Sequence, residues 1–299
     1  MSTSTPTPTP TPTPATVTVT APAPVTAPAV VSPAYLARAH EQGIRAQIAH
    51  HLYVAGAQTD PVTQEQACLV EYAAPELLAA PAALAELERR LADAHPEAGE
   101  LLLRAPGHLT LPAPWRPSIS YVRHTGSVTQ APELPAGLGI EAAAPEHDAL
   151  IAGWLARAIA DGYGQASGNS PSTELIEAAA AEVLDASDRV SFLLTRDGRP
   201  VGHASVLTEA QDEVTGTEFI DLFDLLVEES DVVRPGTTAL VAACAALAAE
   251  RRRPLFGNVV HDDTGPDSGA RVVASLLERG WLLDHRFWRR PRPEEEPSV

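Results

Sequence analysis

The chain has 299 residues, with 21 arginines, no lysine, 39 acidic side chains and a formal net charge of −18 at pH 7. That length supports one or two hydrophobic cores, and so acidic a balance argues against nonspecific nucleic-acid binding, which needs a basic face. Cys68 and Cys244 are too far apart in sequence to suggest a disulfide framework, no apolar run reaches the ~18 residues that span a membrane, and the first residues lack a signal-peptide pattern, so a cytoplasmic setting is expected.

Residues 1–32 are a tail of Thr, Pro, Ala and Val in which Thr and Pro alternate from Thr5 to Pro14. Proline at every second place sustains neither a helix nor a central strand, so this tail is predicted to be extended and disordered. From Pro33 to Ala55 the spacing predicts a helix with Leu36, Ile44, Ile48 and Leu52 as core positions, and Pro75 to Ala94 predicts a second helix. Leu101–Arg104 and Ser118–Arg123 read as strands, and the prolines from Pro106 to Pro117 break regular structure between them. His40, His50, His51 and His95 fall in this half, but the adjacent pair cannot share a helical face and no Cys or carboxylate stands at zinc-like spacing, so no metal site is predicted. Ser127 to Gly137 reads as a linker.

Gly137–Ala144 then reads as a strand, and His147–Ala160 as a helix with Leu150, Ile151, Trp154, Leu155 and Ile159 on one side. Gly162–Pro171, with Tyr163, is expected as a flexible loop, and Thr173–Leu184 as a helix. The Asp197-Gly198 pair between Val190–Thr195 and Val201–Leu207 is a strong hairpin signal. Phe219–Val227 is short, apolar and rich in branched and aromatic residues, as a buried strand would be. Across Val232–Leu240 the period changes: Leu240, Val241, Cys244, Leu247 and Ala248 fall at helical spacing, with Glu250, Arg251 and Arg253 at the end. A helix opening there offers unpaired N–H groups to an anion, with Thr237 and Thr238 suited to cap it. Pro254–Val260 reads as a strand, Ala270–Leu277 as a helix closed by Gly280, and Trp281–Trp288 as a last strand.

In this order of elements, residues 136–293 resemble the GNAT (Gcn5-related) N-acetyltransferase superfamily. The resemblance is carried by the hairpin Thr195-Arg-Asp-Gly-Arg-Pro-Val-Gly-His-Ala204, the loop Arg234-Pro-Gly-Thr-Thr-Ala239 and the closing Leu276-Leu-Glu-Arg-Gly-Trp281. In the family the loop reads Gln/Arg-x-x-Gly-x-Gly/Ala; Arg234 and Ala239 fit its ends, and Thr237 stands where the middle glycine belongs. Leu276 occupies the place of the family's usual general-acid Tyr, and the Asn that commonly precedes that helix is missing near Gly269.

The resemblance implies an α/β (α+β) fold: a mixed central sheet flanked by helices over residues 131–293, with 294–299 as a flexible end. Residues 33–130 make an additional α/β region, in which Ala82–Ala94 followed by Leu101–Leu103 echoes Ala239–Arg253 followed by Leu255–Val260, as a degenerate copy of the fold would. It implies an acyl-CoA-dependent N-acyltransferase with acetyl-CoA as co-substrate and an amine-bearing small molecule or peptide as acceptor; a homodimer is compatible with it. Arg234, Gly236, Thr237, Thr238 and Ala239 would hold the pyrophosphate, and backbone N–H groups near Leu225–Val227, chiefly Leu226 and Val227, would serve the thioester carbonyl. The departures at Thr237 and Leu276 leave open a catalytically inactive binding or partner module, and nothing fixes the length of the acyl chain.

For the base, Asp221 and Asp224 are the sharpest candidates, because desolvation in an apolar strand raises a carboxyl towards neutrality. Their odd spacing predicts opposite faces. His203 on the preceding strand is a third candidate and His261, beside Asp262 and Asp263 in an expected solvated loop, a fourth.

Overall fold

The computed structural model describes residues 30–126, 133–167, 171–262 and 268–291. Most of the expected tail, part of the linker and the last residues lie outside that set.

The first helix, α1 (Pro33–Glu41), begins at Ser32, whose hydroxyl accepts from the Tyr35 N–H and whose own N–H bonds the Val214 carbonyl. It stops well short of Ala55. Gly43 has φ 73, which ends the helix, and β1 (Arg45–Ile48) and β2 (His51–Thr59) follow as a hairpin turning through Ala49 and His50 at φ 47 and 73. Ile44 and Ile48, assigned above to a helix face, serve a strand period equally well. The strand β3 (Gln66–Ala73) is not anticipated by the sequence reading. The expected Pro75–Ala94 helix is two, α2 (Pro75–Ala79) and α3 (Pro81–Ala94), because Ala80 before Pro81 is held extended. Leu84, Leu87 and Leu91 of α3 bury against Leu101, Leu103 and Ala105 of β4 (Glu100–Pro106), whose alternation turns Arg104 to the other face.

β5 (Arg116–His124), β6 (Leu138–Ala142) and a short 3₁₀ turn lead into α4 (Asp148–Ser167). This helix runs through the stretch expected as a loop from Gly162. Gly162 and Gly164 in that stretch cost the helix about 1 kcal/mol each, and a tertiary contact offsets that: the Tyr163 hydroxyl lies 3.1 Å from both Asp60 carboxylate oxygens. Then come α5 (Thr173–Leu184), the hairpin β7 (Arg189–Arg196) and β8 (Arg199–Asp212), β9 (Thr217–Val227), α6 (Val233–Arg251), β10 (Leu255–Val260), α7 (Ser268–Glu278) and β11 (Trp281–Pro291).

The eleven strands among the described residues join one mixed sheet in the order β1-β2-β3-β4-β11-β5-β10-β9-β8-β7-β6. The order mirrors itself about the β11–β5 pair. On one side β3 and β4 are parallel and joined by α2–α3; on the other β9 and β10 are parallel and joined by α6. Between these units the last strands are exchanged, β5 lying between β10 and β11, and β11 between β4 and β5. The regions 33–130 and 131–293 therefore share a sheet. Leu222, Leu225 and Val227 of β9 pack with α6, while Phe223 and Leu226 pack with α4 and α5.

Candidate active site

β9 and β10 pair only through Leu255/Ile220, Phe256/Asp221 and Gly257/Leu222. Beyond those residues no ladder pair joins them, although β9 continues to Val227 and β10 to Val260. The parting begins where β9 carries an irregularity: Ser205 opposes Asp224 and Val206 opposes Leu222, leaving Phe223 as an extra residue. Such a bulge bends its strand and breaks the alternation of faces. The edge of β9 from Phe223 onward thus faces a gap that an extended chain with amide groups fits as an added strand.

The bulge also changes which carboxylates meet. Asp221 and Asp224 do not take opposite faces as simple alternation predicts; the extra residue places both on the side covered by α4, just as it places Leu222 and Leu225 together against α6. Asp221 lies beside the last pairs before the strands part, its Oδ1 buried with no hydrogen-bond partner. Burial raises its carboxyl to about 6. Tyr121 of β5 lies near enough for that charge to act on it: burial first and Asp221 second push its hydroxyl up to about 12, so it remains a donor at neutral pH. Tyr121 stacks on His285 at 4.5 Å between ring centroids, and both meet the edge of Phe287. Sequence reasoning misses these three residues, because only the strand exchange brings β5 beside β10 and β11 beside β5.

His203 is fully buried, its ring stacked on Trp154 of α4 at 5.0 Å. Nε2 lies 2.8 Å from Asp224 Oδ2, a charge contact too oblique to be a hydrogen bond. Nδ1 is 3.1 Å from Ser205 Oγ. His261 is not in a solvated loop. It is buried with Nε2 2.8 Å from Ser120 Oγ, while Asp262 accepts from the Ser268 N–H at the start of α7; Asp263 lies outside the described residues.

At the other end of the gap, α6 begins at Val233, a turn earlier than the threonines suggest, and its N-cap Val232 gives no side-chain bond. Thr237 and Thr238 therefore do not cap it, and the Thr238 hydroxyl instead donates to the Arg234 carbonyl at 2.9 Å. Gly236 is buried: a Cβ there would collide with Leu194 Cδ2 and stand 3.3 Å from Val227 Cγ2, so this glycine lets the helix lie on the sheet. Its N–H is taken by the Val232 carbonyl at 2.8 Å and Pro235 has none, leaving the first-turn N–H groups of Val233 and Arg234, with the exposed Arg234 guanidinium, for an anion. Glu229 and Asp231 precede that turn and would repel a phosphate, but Arg196 bonds both and Arg199 also bonds Glu229. Ala239 is buried one turn further on. Leu226 and Val227 end the parted edge of β9, and close packing there requires Gly202 of β8, whose Cβ would stand 2.5 Å from the Leu226 carbonyl oxygen.

No family model matches the chain, and no curated protein does. Among solved structures, it is similar to a GCN5-related N-acetyltransferase from Sphaerobacter thermophilus, at 16% identity over 81% of this chain and 77% of that one, with a TM-score of 0.48. It is similar also to a GNAT-family acetyltransferase from Colwellia psychrerythraea, at 10% identity over 81% of each chain and a TM-score of 0.47. A tandem GNAT protein from the clavulanic acid biosynthesis pathway has 14% identity over 82% of this chain and 80% of that one, with a TM-score of 0.42. Among the described residues, no helix is long and apolar enough to cross a membrane, and no group of three or more His, Cys, Asp or Glu stands ready for a metal ion.

Proposed function

We propose that the protein is an acyl-CoA-dependent N-acyltransferase, acetyl-CoA being its donor and an amine-bearing small molecule or peptide its acceptor. The observation that carries this reading is the parting of β9 from β10 at the Phe223 bulge, with the unpartnered Asp221 carboxylate at its mouth. The residues suit the donor. The open edge of β9 matches the amide-bearing arm of coenzyme A as a strand partner, and Val233, Arg234 and the close seat of α6 at Gly236 suit its pyrophosphate. The thioester brings the activated acyl group.

The remaining work falls to this chain. An ammonium acceptor must lose a proton before it can attack, and Asp221, raised to about 6, accepts one near neutral pH. Of the two backbone N–H groups, that of Leu226 falls on the side paired with β8, as that of Glu228 does, so the Val227 N–H on the parted edge would be the one to stabilise the developing oxyanion. Asp224 and His203, on the same face, form a second polar pair beside the base. Incubating the protein with acetyl-CoA and a panel of amines, with mass spectrometry of the amines, tests the reading. Acetylated product supports it, and no product together with no calorimetric binding of acetyl-CoA rejects it.

A second reading has its own observations. Pro235 removes an N–H from the first turn of α6, and Leu276 of α7 packs against the core and offers no hydroxyl, as a module that binds without turnover would allow. Acetyl-CoA binding without turnover of any amine would favour it. Competition between acetyl-CoA and long-chain acyl-CoA decides donor length.

A further inference from the structure

Behind the Asp224–His203 pair, polar side chains run through the interior to the surface. Ser191 of β7, Ser205 of β8 and Asp224 of β9 occupy successive paired positions across three strands, and His203 projects from the same face of β8 two residues before Ser205. Ser205 Oγ is 2.8 Å from Ser191 Oγ and 3.1 Å from His203 Nδ1. Arg189 NH1 donates to Ser191 Oγ at 2.9 Å, NH2 to Asp148 Oδ1 at 2.8 Å and Nε to the Leu184 carbonyl at 2.8 Å. Ser191, Ser205 and His203 are 5%, 0% and 0% exposed, so water does not compete for their hydrogen bonds.

We infer that Arg189, Ser191 and Ser205 are positioning residues that fix which nitrogen of His203 carries the proton, and through it the Asp224 carboxylate at the mouth of the gap. This rests on the acyltransferase reading only for its effect on turnover.

A guanidinium can only donate. Arg189, held by three acceptors, therefore fills a lone pair of Ser191 and leaves the Ser191 proton for Ser205. Ser205 then donates to His203 Nδ1, which must be an acceptor, and the ring proton resides on Nε2. In this direction each hydroxyl proton has a partner, and Nε2–H offsets the carboxylate charge 2.8 Å away. The reverse direction fails twice. A proton on Nδ1 would turn Ser205 towards Ser191, stranding the Ser191 proton in the interior, and would set the Nε2 lone pair against Asp224. Trp154, stacked on the ring, keeps the imidazole from swinging away to escape either conflict.

The test is nitrogen-detected NMR of the full chain labelled at histidine nitrogen, at pH 7.5, with His203 assigned by its loss in His203→Gln. The expected spectrum is one neutral tautomer protonated at Nε2, with Nδ1 shifted as an acceptor. In Ser205→Ala the Nδ1 shift should change and tautomers mix; in Ser205→Thr, which keeps the hydroxyl, the original pattern should return. An Nδ1–H tautomer or a doubly protonated ring in the unmodified protein overturns the inference, as does an unchanged His203 pattern in a folded Ser205→Ala. With an amine substrate in hand, Ser205→Ala should lower kcat by up to about 10²-fold with acyl-CoA affinity retained, since it disturbs position and removes no reacting group. If no amine is acetylated and acetyl-CoA does not bind, the acyltransferase reading fails while the tautomer result still decides the polar chain.

Discussion

Asp221→Asn separates stability from function with one substitution. Burial raises the Asp221 carboxyl from the ordinary 3.8 to about 6, a difference worth about 3 kcal/mol. The folded protein thus binds this proton more readily than the unfolded chain does. Its stability falls as pH rises from about 4 to about 6, the full cost is present at pH 7, and the cost vanishes below about 3.8, where both states hold the proton. Asn keeps the shape without the charge, although its amide also lacks partners and gives back part of the gain. In urea at pH 7.5 the variant should therefore be more stable than the unmodified protein by up to about 3 kcal/mol, and the difference should shrink to nothing towards pH 3.8. Turnover should fall by roughly 10²–10⁴-fold with acyl-CoA affinity retained. On the acyltransferase reading, the unmodified protein's rate should rise with pH through an apparent pKa of about 6. A variant less stable at pH 7.5, or a gap that ignores pH, would mean that the carboxylate has a native partner and the reasoning from desolvation is wrong. Normal turnover would move the base to Asp224 or His203, with Asp224→Asn and His203→Gln as the matched comparisons.

Gly236→Val should destabilise the fold by about 1–3 kcal/mol through overpacking against Leu194 and Val227, with acyl-CoA binding weakened as α6 is lifted off the sheet; thermal melting beside calorimetry checks both. Arg104 binds Asp212 through two hydrogen bonds of 2.7 Å, tying β4 to the end of β8. Burial alone would raise the Asp212 carboxyl, yet Arg104 holds it at about 2, so its stabilisation is full above pH 3.8 and is lost as pH falls towards 2. Arg104→Ala leaves that carboxylate with only the Val214 N–H and the Thr215 hydroxyl as donors and should cost about 3 kcal/mol in denaturant unfolding at pH 7, and less near pH 2. Removing residues 1–29 should leave the melting temperature unchanged, whereas removal through Ser32 deletes the α1 cap and its bond to Val214 and should cost about 1 kcal/mol in the same measurement.

What could be read in the sequence was local. The Asp197-Gly198 hairpin, the apolar strand at Leu101–Arg104 and the helical period from Leu240 to Ala248 each depend on residues within a few places of one another, and each falls within the element expected. The errors share a cause. Pro33–Ala55 carries apolar residues that suit either period, and Gly43 with the left-handed Ala49–His50 turn decided for strands. At Gly162–Ser167 the composition favoured a loop, and a bond from Tyr163 to a turn over a hundred residues away decided for helix. Asp221 and Asp224 were recognisable as buried carboxylates, but the shared face depends on an extra residue relative to β8, which only pairing defines.

The strand exchange explains why the site's other wall had no signal at all. Tyr121 precedes Asp221 by a hundred residues and acts on its face of the sheet because β5 crosses to pair with β10. β11 is meanwhile held between β4 and β5, so His285 and Phe287 reach Tyr121 from the far end of the chain. Neither half completes its strand order without the other, and closing these long loops must precede the pairing that compensates for their entropy. The carboxylate and the gap come from the second half of the sequence, and the aromatic surface beside them comes from both. On the acyltransferase reading, an acceptor bound there would meet residues whose juxtaposition exists only once both halves have folded together, so the N-terminal half would be part of the site; that half also repeats the parting, since β3 and β4 stop pairing after Val70/Leu103, where Glu71 is an extra residue opposite β2.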